Sequence, residues 1–263
     1  MTTKRRKWPF VILSVLVMLL LAGVAYFSDY YRADDVALAA LESDADVTVE
    51  ETEYGWRFDG PSTTAALVFY PGAKVEASAY APLLHLLAHE GVDACLVRMP
   101  LNFALLDGDA AARVMGEHDY DDWYVGGHSL GGVAAAGFAA DHASEVRGVV
   151  LCASYPNEKL DEGSVEIQVL GARDGVIDRE KVESARAYAP ETFVERVIEG
   201  ANHAQFGSYG KQDGDGEATI TPEEQWRATV GAITAAIAED VADVSGGADV
   251  SGGADVNVVS DAD

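Results

Sequence analysis

The chain has 263 residues, 49% of them apolar, which is enough for one domain with a sizeable hydrophobic core. Its formal net charge of −26 and its few lysines argue against partners such as nucleic acid or anionic lipid headgroups. So acidic a surface is typical of proteins from salt-loving (halophilic) organisms, in which concentrated salt screens the repulsion between like charges.

The N-terminal residues predict a membrane anchor. A basic flank, 1–7, precedes residues 8–27, which carry no charge and are long enough to span a bilayer as a transmembrane helix. The basic flank predicts a cytoplasmic N-terminus and an extracytoplasmic main domain. A cleaved signal peptide is the alternative, but its apolar segment is usually shorter, and no convincing small-residue cleavage site ends this one. Residues 28–45 are expected to form a connector.

Residues 46–241 predict one α/β domain. Alternating apolar residues predict an antiparallel hairpin over 46–59. Buried strands are then predicted from apolar runs at 65–70, 92–97, 123–125, 146–153, 165–170 and 192–198. Helical patterns occupy 77–89, 105–117, 133–140, 179–188 and 222–241. Strands that alternate with helices predict a mostly parallel central sheet with helices on both faces. The acidic Gly-rich tail, 242–263, is expected to be disordered.

The motif Gly127-His-Ser-Leu-Gly131 lies between a predicted strand and a predicted helix. It matches G-x-S-x-G, in which a tight strand-to-helix turn projects the serine hydroxyl from the top of a sheet. Glycines two positions before and after Ser129 let the chain segments pass closely. The helix that follows aims its N-terminal N–H groups at the same place. Ser129 is therefore the candidate nucleophile.

A serine nucleophile requires a base, which in turn requires an acid to orient it. Of the two histidines after Ser129, His142 lies more than about three helical turns further along the helix that follows Ser129, too far to reach the hydroxyl. His203 follows the last strand and is the predicted base. Asp174 follows the preceding strand and is the predicted acid. Asp178 is the alternative, although it is better placed as a helix N-cap.

The reaction also requires two N–H groups to stabilise an oxyanion. One is predicted to be the amide of Leu130, directly after the nucleophile. The other is expected from the loop after the first buried strand, where Ala73 is the choice and Gly72 and Lys74 are alternatives.

Two cysteines, Cys95 and Cys152, lie in apolar runs and are predicted to be buried free thiols rather than a disulfide. The sequence contains no Cys/His cluster with metal-ligand spacing. We therefore expect neither a metal nor a cofactor.

From about 65 to 238 the chain resembles the α/β-hydrolase superfamily, and within it small, nearly lidless members related to the dienelactone-hydrolase-like group. The segments that carry the resemblance are Tyr-Pro-Gly (70–72), Arg-Met-Pro-Leu-Asn (98–102), Gly-His-Ser-Leu-Gly (127–131) and Asn-His-Ala-Gln-Phe-Gly (202–207). The resemblance implies an eight-stranded sheet, a Ser129–Asp174–His203 triad and ester hydrolysis. Dienelactone hydrolases proper carry a cysteine nucleophile, so their substrate is not expected here.

The sequence therefore predicts a membrane-anchored serine hydrolase that cleaves a small ester or related acyl substrate through an acyl-enzyme on Ser129. The alternative is a non-catalytic hydrolase-fold binding module at the cell surface. A thioesterase or a peptidase would use the same triad. The acyl group, the leaving group and the oligomeric state are left open.

Overall fold

A computed structural model describes residues 8–61 and 65–248 of the chain. The strands are β1 (Thr48–Glu51), β2 (Gly55–Asp59), β3 (Ala65–Tyr70), β4 (Asp93–Val97), β5 (Asp122–His128), β6 (Gly148–Cys152), β7 (Val165–Gly171) and β8 (Thr192–Ile198). The helices are α1 (Trp8–Ser28), α2 (Asp35–Ala39), α3 (Ala81–His89), α4 (Ala110–Met115), α5 (Leu130–Asp141), α6 (Arg179–Ala185) and α7 (Pro222–Ala248).

All eight strands form one sheet in the order β1-β2-β4-β3-β5-β6-β7-β8. Strands β3 to β8 are parallel, and the β1–β2 hairpin adds two antiparallel strands beside β4. Residues of β3 to β7 are almost all buried because helices cover both faces of the sheet. The predicted eight-stranded, mostly parallel α/β architecture is confirmed.

In strands β3 to β6, alternate residues enter two separate hydrophobic cores. Leu67 and Phe69 of β3 pack in the core under α3 and α7, whereas Ala66 and Val68 pack under α4 and α5. Cys152 lies in the first core and Cys95 in the second. Both are buried free thiols, as predicted.

Helices α4 and α7 differ most from their predicted bounds. Helix α4 is shorter than 105–117 because the turn-forming residues Asp107-Gly-Asp109 delay its start to Ala110. Helix α7 begins as predicted: Thr221 Oγ1 accepts from the Glu224 N–H at 3.2 Å, and Glu224 Oε2 accepts from the Thr221 N–H at 2.8 Å. It continues to Ala248, beyond the predicted end at 241. The basic flank 1–7 and residues 249–263 of the predicted tail lie outside the described residues.

Helix α1 corresponds to the predicted anchor at 8–27. Its segment Phe10–Ser28 has a mean hydropathy of 2.7 and is not buried inside the protein, so its length and composition suit a membrane span. The connector after it is tied to the domain. Tyr31 donates its N–H to the Lys74 carbonyl at 2.7 Å, and Asp34 donates to the Ser208 carbonyl at 3.0 Å.

Candidate active site

The sequence-predicted site residues follow four parallel strands at the carboxyl edge of the sheet. From β3 the chain moves to β4 on one side, and β5 then lies on the other side of β3. Such a reversal of strand order opens a crevice at that edge. Ala73 follows β3, Ser129 follows β5, Asp174 follows β7 and His203 follows β8.

Ser129 occupies a strained turn between β5 and α5. Its φ of 53° and ψ of −124° lie in a region that non-glycine residues rarely adopt. The turn packs directly against the end of β3. A Cβ at Gly127 would lie 2.6 Å from the Tyr70 carbonyl oxygen, and one at Gly131 would lie 2.4 Å from the Pro71 carbonyl oxygen. Glycine at both positions is therefore a steric requirement of the turn.

Asp174 and His203 are in direct contact. His203 Nδ1 donates to Asp174 Oδ2 at 2.8 Å, and the side chains are 2% and 0% exposed. Burial acts to raise the pKa of Asp174. The hydrogen bond and charge of His203, with N–H groups of Ile177 and Val176, outweigh burial and hold that pKa below its usual range. The acid is thus ionised at neutral pH, and it holds His203 with Nε2 as the free ring nitrogen.

His203 lies beside the strained turn. Its ring contacts the ring of His128, the residue before Ser129, with the centroids 4.4 Å apart. Within residues 8–61 and 65–248, Ser129 Oγ makes no hydrogen bond. The hydrogen bond between Ser129 Oγ and His203 Nε2 is therefore the one contact of the predicted triad that is not formed in the structure.

His128 belongs to a buried network under the turn. Its Nδ1 is hydrogen-bonded to the Tyr80 hydroxyl at 2.8 Å, and that hydroxyl accepts the N–H of Gly72 at 3.0 Å. Burial, reinforced by the neighbouring His203, keeps the pKa of His128 well below its ordinary value. His128 is thus held neutral, and it links the loop after β3 to the serine turn.

Hydrogen bonding separates the three amides considered for the oxyanion site. Gly72 donates to Tyr80, and Lys74 donates to the Asn102 carbonyl at 2.8 Å. The N–H groups of Ala73 and of Leu130, the first residue of α5, have no hydrogen-bond partner among the residues the structure describes. Ala73 and Leu130 are also partly exposed, like Ser129. The two predicted donors are therefore the amides available to a ligand.

One residue of the site was not predicted from the sequence. The Asp215 carboxylate accepts N–H groups from Gly175 at 3.1 Å, His203 at 3.2 Å and Ala204 at 2.8 Å. It thereby joins the loop of the predicted acid to the loop of the predicted base. In the sequence, Asp215 lies in a polar Gly-rich segment that has no hydrophobic periodicity. The length of that segment without predicted secondary structure is its one sign of a functional role.

No group of three His, Cys, Asp or Glu side chains is arranged to hold a metal ion in the described part of the chain.

The profile of a family described as "Alpha/beta hydrolase family" matches residues 66–227. No curated protein matches the chain in sequence. Among solved structures, Est1E from Butyrivibrio proteoclasticus is 14% identical, with a TM-score of 0.52 over 74% of this chain and 100% of that one. A bacterial membrane phospholipase A is 13% identical, with a TM-score of 0.53 over 87% and 98%. A protein from Thermoplasma acidophilum described as a predicted CIB-like hydrolase is 14% identical, with a TM-score of 0.50 over 70% and 97%. These likenesses show a shared fold.

Proposed function

Because the chain belongs to the α/β-hydrolase family, we propose that it is a serine hydrolase that cleaves a small ester or related acyl substrate. The observation that carries the proposal is the buried hydrogen bond of 2.8 Å between His203 Nδ1 and Asp174 Oδ2. It leaves His203 Nε2 free to accept a proton, next to a serine held on a strained turn. Backbone strain of this kind is typical of active sites, which favours an enzyme over the alternative binding module.

In the proposed reaction, Ser129 Oγ forms a bond to the substrate carbonyl carbon while its proton passes to His203 Nε2. Asp174 stabilises the imidazolium through the Nδ1 bond. The Ala73 and Leu130 amides donate to the oxyanion. The bond to the leaving group then breaks as His203 returns the proton to that group. Water, deprotonated by His203, hydrolyses the acyl-enzyme and restores Ser129.

The same proposal places the enzyme at the cell membrane. Helix α1 would be a single-pass anchor, with the N-terminus cytoplasmic and the hydrolase domain extracytoplasmic. N-terminal sequencing of protein from the membrane fraction tests this. We expect the N-terminus to be uncleaved and the protein to remain in the membrane during carbonate extraction. A mature chain that begins after α1 would show a signal peptide instead.

Covalent labelling tests the nucleophile. A fluorophosphonate probe should label the full-length protein, and Ser129→Ala should abolish the labelling. Ser144→Ala is the matched control because Ser144 is exposed and lies after α5, away from the site. Persistent labelling of Ser129→Ala would refute the assignment, and no labelling of the unaltered protein would favour the binding module.

A further inference from the structure

The end of α1 is joined to the candidate oxyanion loop. Tyr31 comes three residues after the last residue of α1 and forms a parallel bridge with Val75. Three residues of chain span at most about 11 Å. Side chains also join the helix end to this loop: Lys74 Nζ lies 4.7 Å from the centre of the Tyr26 ring and 3.0 Å from Asp29 Oδ2. The edge of the sheet that carries Ser129 is therefore the edge nearest to the helix end.

A second contact joins the helix end to the loop after β4. The Phe27 ring packs edge-on against the Phe103 ring, with the centroids 5.5 Å apart. The centroid of the Tyr26 ring lies 6.3 Å from that of Phe103. Aromatic residues at the end of a spanning helix lie at the membrane–water interface. If α1 spans the bilayer, Phe103 is at interface depth, and so is its loop.

That loop presents three leucines to solvent. Leu101, Leu105 and Leu106 are 55%, 59% and 57% exposed, although residues this apolar are usually covered. The backbone contributes to the exposure of Leu101, because Leu101 and Asn102 both have positive φ, at 54° and 57°. The Asn102 carbonyl accepts the Lys74 N–H at 2.8 Å, which fixes this loop to the candidate oxyanion loop.

We propose that the carboxyl edge of the sheet faces the bilayer that holds α1, and that Leu101, Leu105 and Leu106 insert into its surface. The site then takes acyl substrates that are dissolved in the membrane. The surface continues the apolar surface of α1 through Phe27 and Phe103. Because the protein is strongly acidic, attachment comes from apolar insertion and not from attraction to anionic headgroups. The statement about substrates rests on the proposed hydrolase function, whereas the statement about orientation rests on the proposed membrane anchor alone.

Orientation is tested without reference to activity. The full-length protein is placed in vesicles of diether phosphatidylcholine, and Leu105→Cys is labelled with an environment-sensitive fluorophore. Both native thiols are buried, so the label reports on the new position. Ser144→Cys is the control, since Ser144 is exposed and lies between α5 and β6, at the opposite, amino edge of the sheet. A spin label on the lipid chains should quench position 105 and spare position 144. Equal quenching, or none at 105, overturns the proposed orientation.

Substrate class is tested by comparing two esters. A long-chain 4-nitrophenyl ester is dissolved in the same vesicles, whose ether-linked chains cannot be hydrolysed, and 4-nitrophenyl acetate is supplied in water. Replacing Leu101, Leu105 and Leu106 by serine should lower the rate on the vesicle-borne ester about tenfold or more and leave the acetate rate unchanged. Tyr188→Ser should change neither rate, because Tyr188 is 40% exposed but precedes β8 and so lies at the opposite, amino edge of the sheet.

The outcomes distinguish the two proposals. Equal rates for the triple variant and the unaltered protein on the vesicle-borne ester, with acetate hydrolysed normally, would overturn the membrane-borne substrate and leave the hydrolase intact. A parallel loss on both esters would show damage to the site and would equally contradict insertion as the cause. Failure of the unaltered protein to hydrolyse either ester would overturn the proposed function, while the quenching result would still decide the orientation.

Discussion

Asp174 and Asp178 lie on the same loop but have different hydrogen-bond partners. Asp174 accepts from the His203 ring at 2.8 Å, whereas Asp178 accepts from the N–H groups of Glu180 and Lys181 at 3.1 and 3.2 Å and caps α6. The distinction drawn from helix-capping rules therefore agrees with the contacts of both residues. It makes the two carboxylates a natural pair for mutation.

Asp174→Asn is expected to lower kcat by about 10⁴-fold, with KM little changed, because the imidazolium loses its charge partner and His203 its correct tautomer. Steady-state kinetics on a soluble ester measure this. Asp178→Asn is the matched control: it removes the same charge, and asparagine is an equally good N-cap. Full activity in Asp174→Asn together with loss in Asp178→Asn would transfer the role of the acid to Asp178.

Glu166 gives a pH dependence of stability. It is buried in β7, its Oε2 has no hydrogen-bond partner among the described residues, and burial raises its pKa to about 7. The unfolded chain releases this proton near pH ~4.3, so between there and pH ~7 the folded state binds more protons and the free energy of unfolding falls as pH rises.

Glu166→Gln should remove this loss of stability, since glutamine stays neutral. We expect the variant to be more stable than the unaltered protein by up to about 3 kcal/mol above pH ~7, with the difference vanishing below pH ~4.3. Urea unfolding at a series of pH values measures it. A difference that does not vary with pH would show that Glu166 does not titrate in the way its burial requires.

Among helices and strands, the β5–α5 unit does most to define the site. Its strand, turn and helix were predictable because glycine spacing and apolar runs are local signals. The pairing of Asp174 with His203 was predictable because parallel strands deliver their following loops to one edge. The contribution of Asp215 was not, since four N–H groups from three separate chain segments meet there, and no local pattern encodes such a meeting.

At two helical glycines, substitution by alanine is expected to change the free energy of unfolding in opposite directions. In Gly131→Ala the new Cβ would lie 2.3 Å from the Tyr70 carbonyl oxygen, so the backbone of the turn must move. We expect a loss of more than about 2 kcal/mol in the free energy of unfolding. In Gly231→Ala, in α7, the Cβ meets nothing within 4 Å, and we expect a gain of about 0.5–1 kcal/mol.

Denaturant unfolding of both glycine variants checks the pair. Because the Gly131 substitution moves Ser129, fluorophosphonate labelling should also slow in that variant and stay normal in Gly231→Ala. Equal stability of the two variants would contradict the close packing of the serine turn against β3.

The net charge of −26 affects the protein as a unit. Its repulsion acts over a screening length of ~30 Å at 0.01 M salt but only ~3 Å at 1 M. The fold and the family were predictable from patterns in the sequence. Adaptation to salt, by contrast, remains a prediction from net charge alone, because it is a property of the whole charge distribution and not of any one contact.

Salt dependence is therefore expected. The midpoint of thermal unfolding should rise as potassium chloride is added, and structure should be lost at the lowest salt concentrations. Circular dichroism on the soluble fragment from Ala33 measures both. Full stability at low salt, with a midpoint that does not move, would contradict the halophilic interpretation.

The central claim is that Ser129, His203 and Asp174 act together on an acyl group. It is tested most directly by a crystal structure of the protein after reaction with a fluorophosphonate. We expect the phosphorus bonded to Ser129 Oγ, its oxygen within hydrogen-bond distance of the Ala73 and Leu130 amides, and His203 Nε2 beside Oγ with its Nδ1 still on Asp174. A phosphonyl group on another residue, or a His203 ring turned away from Ser129, would contradict the claim.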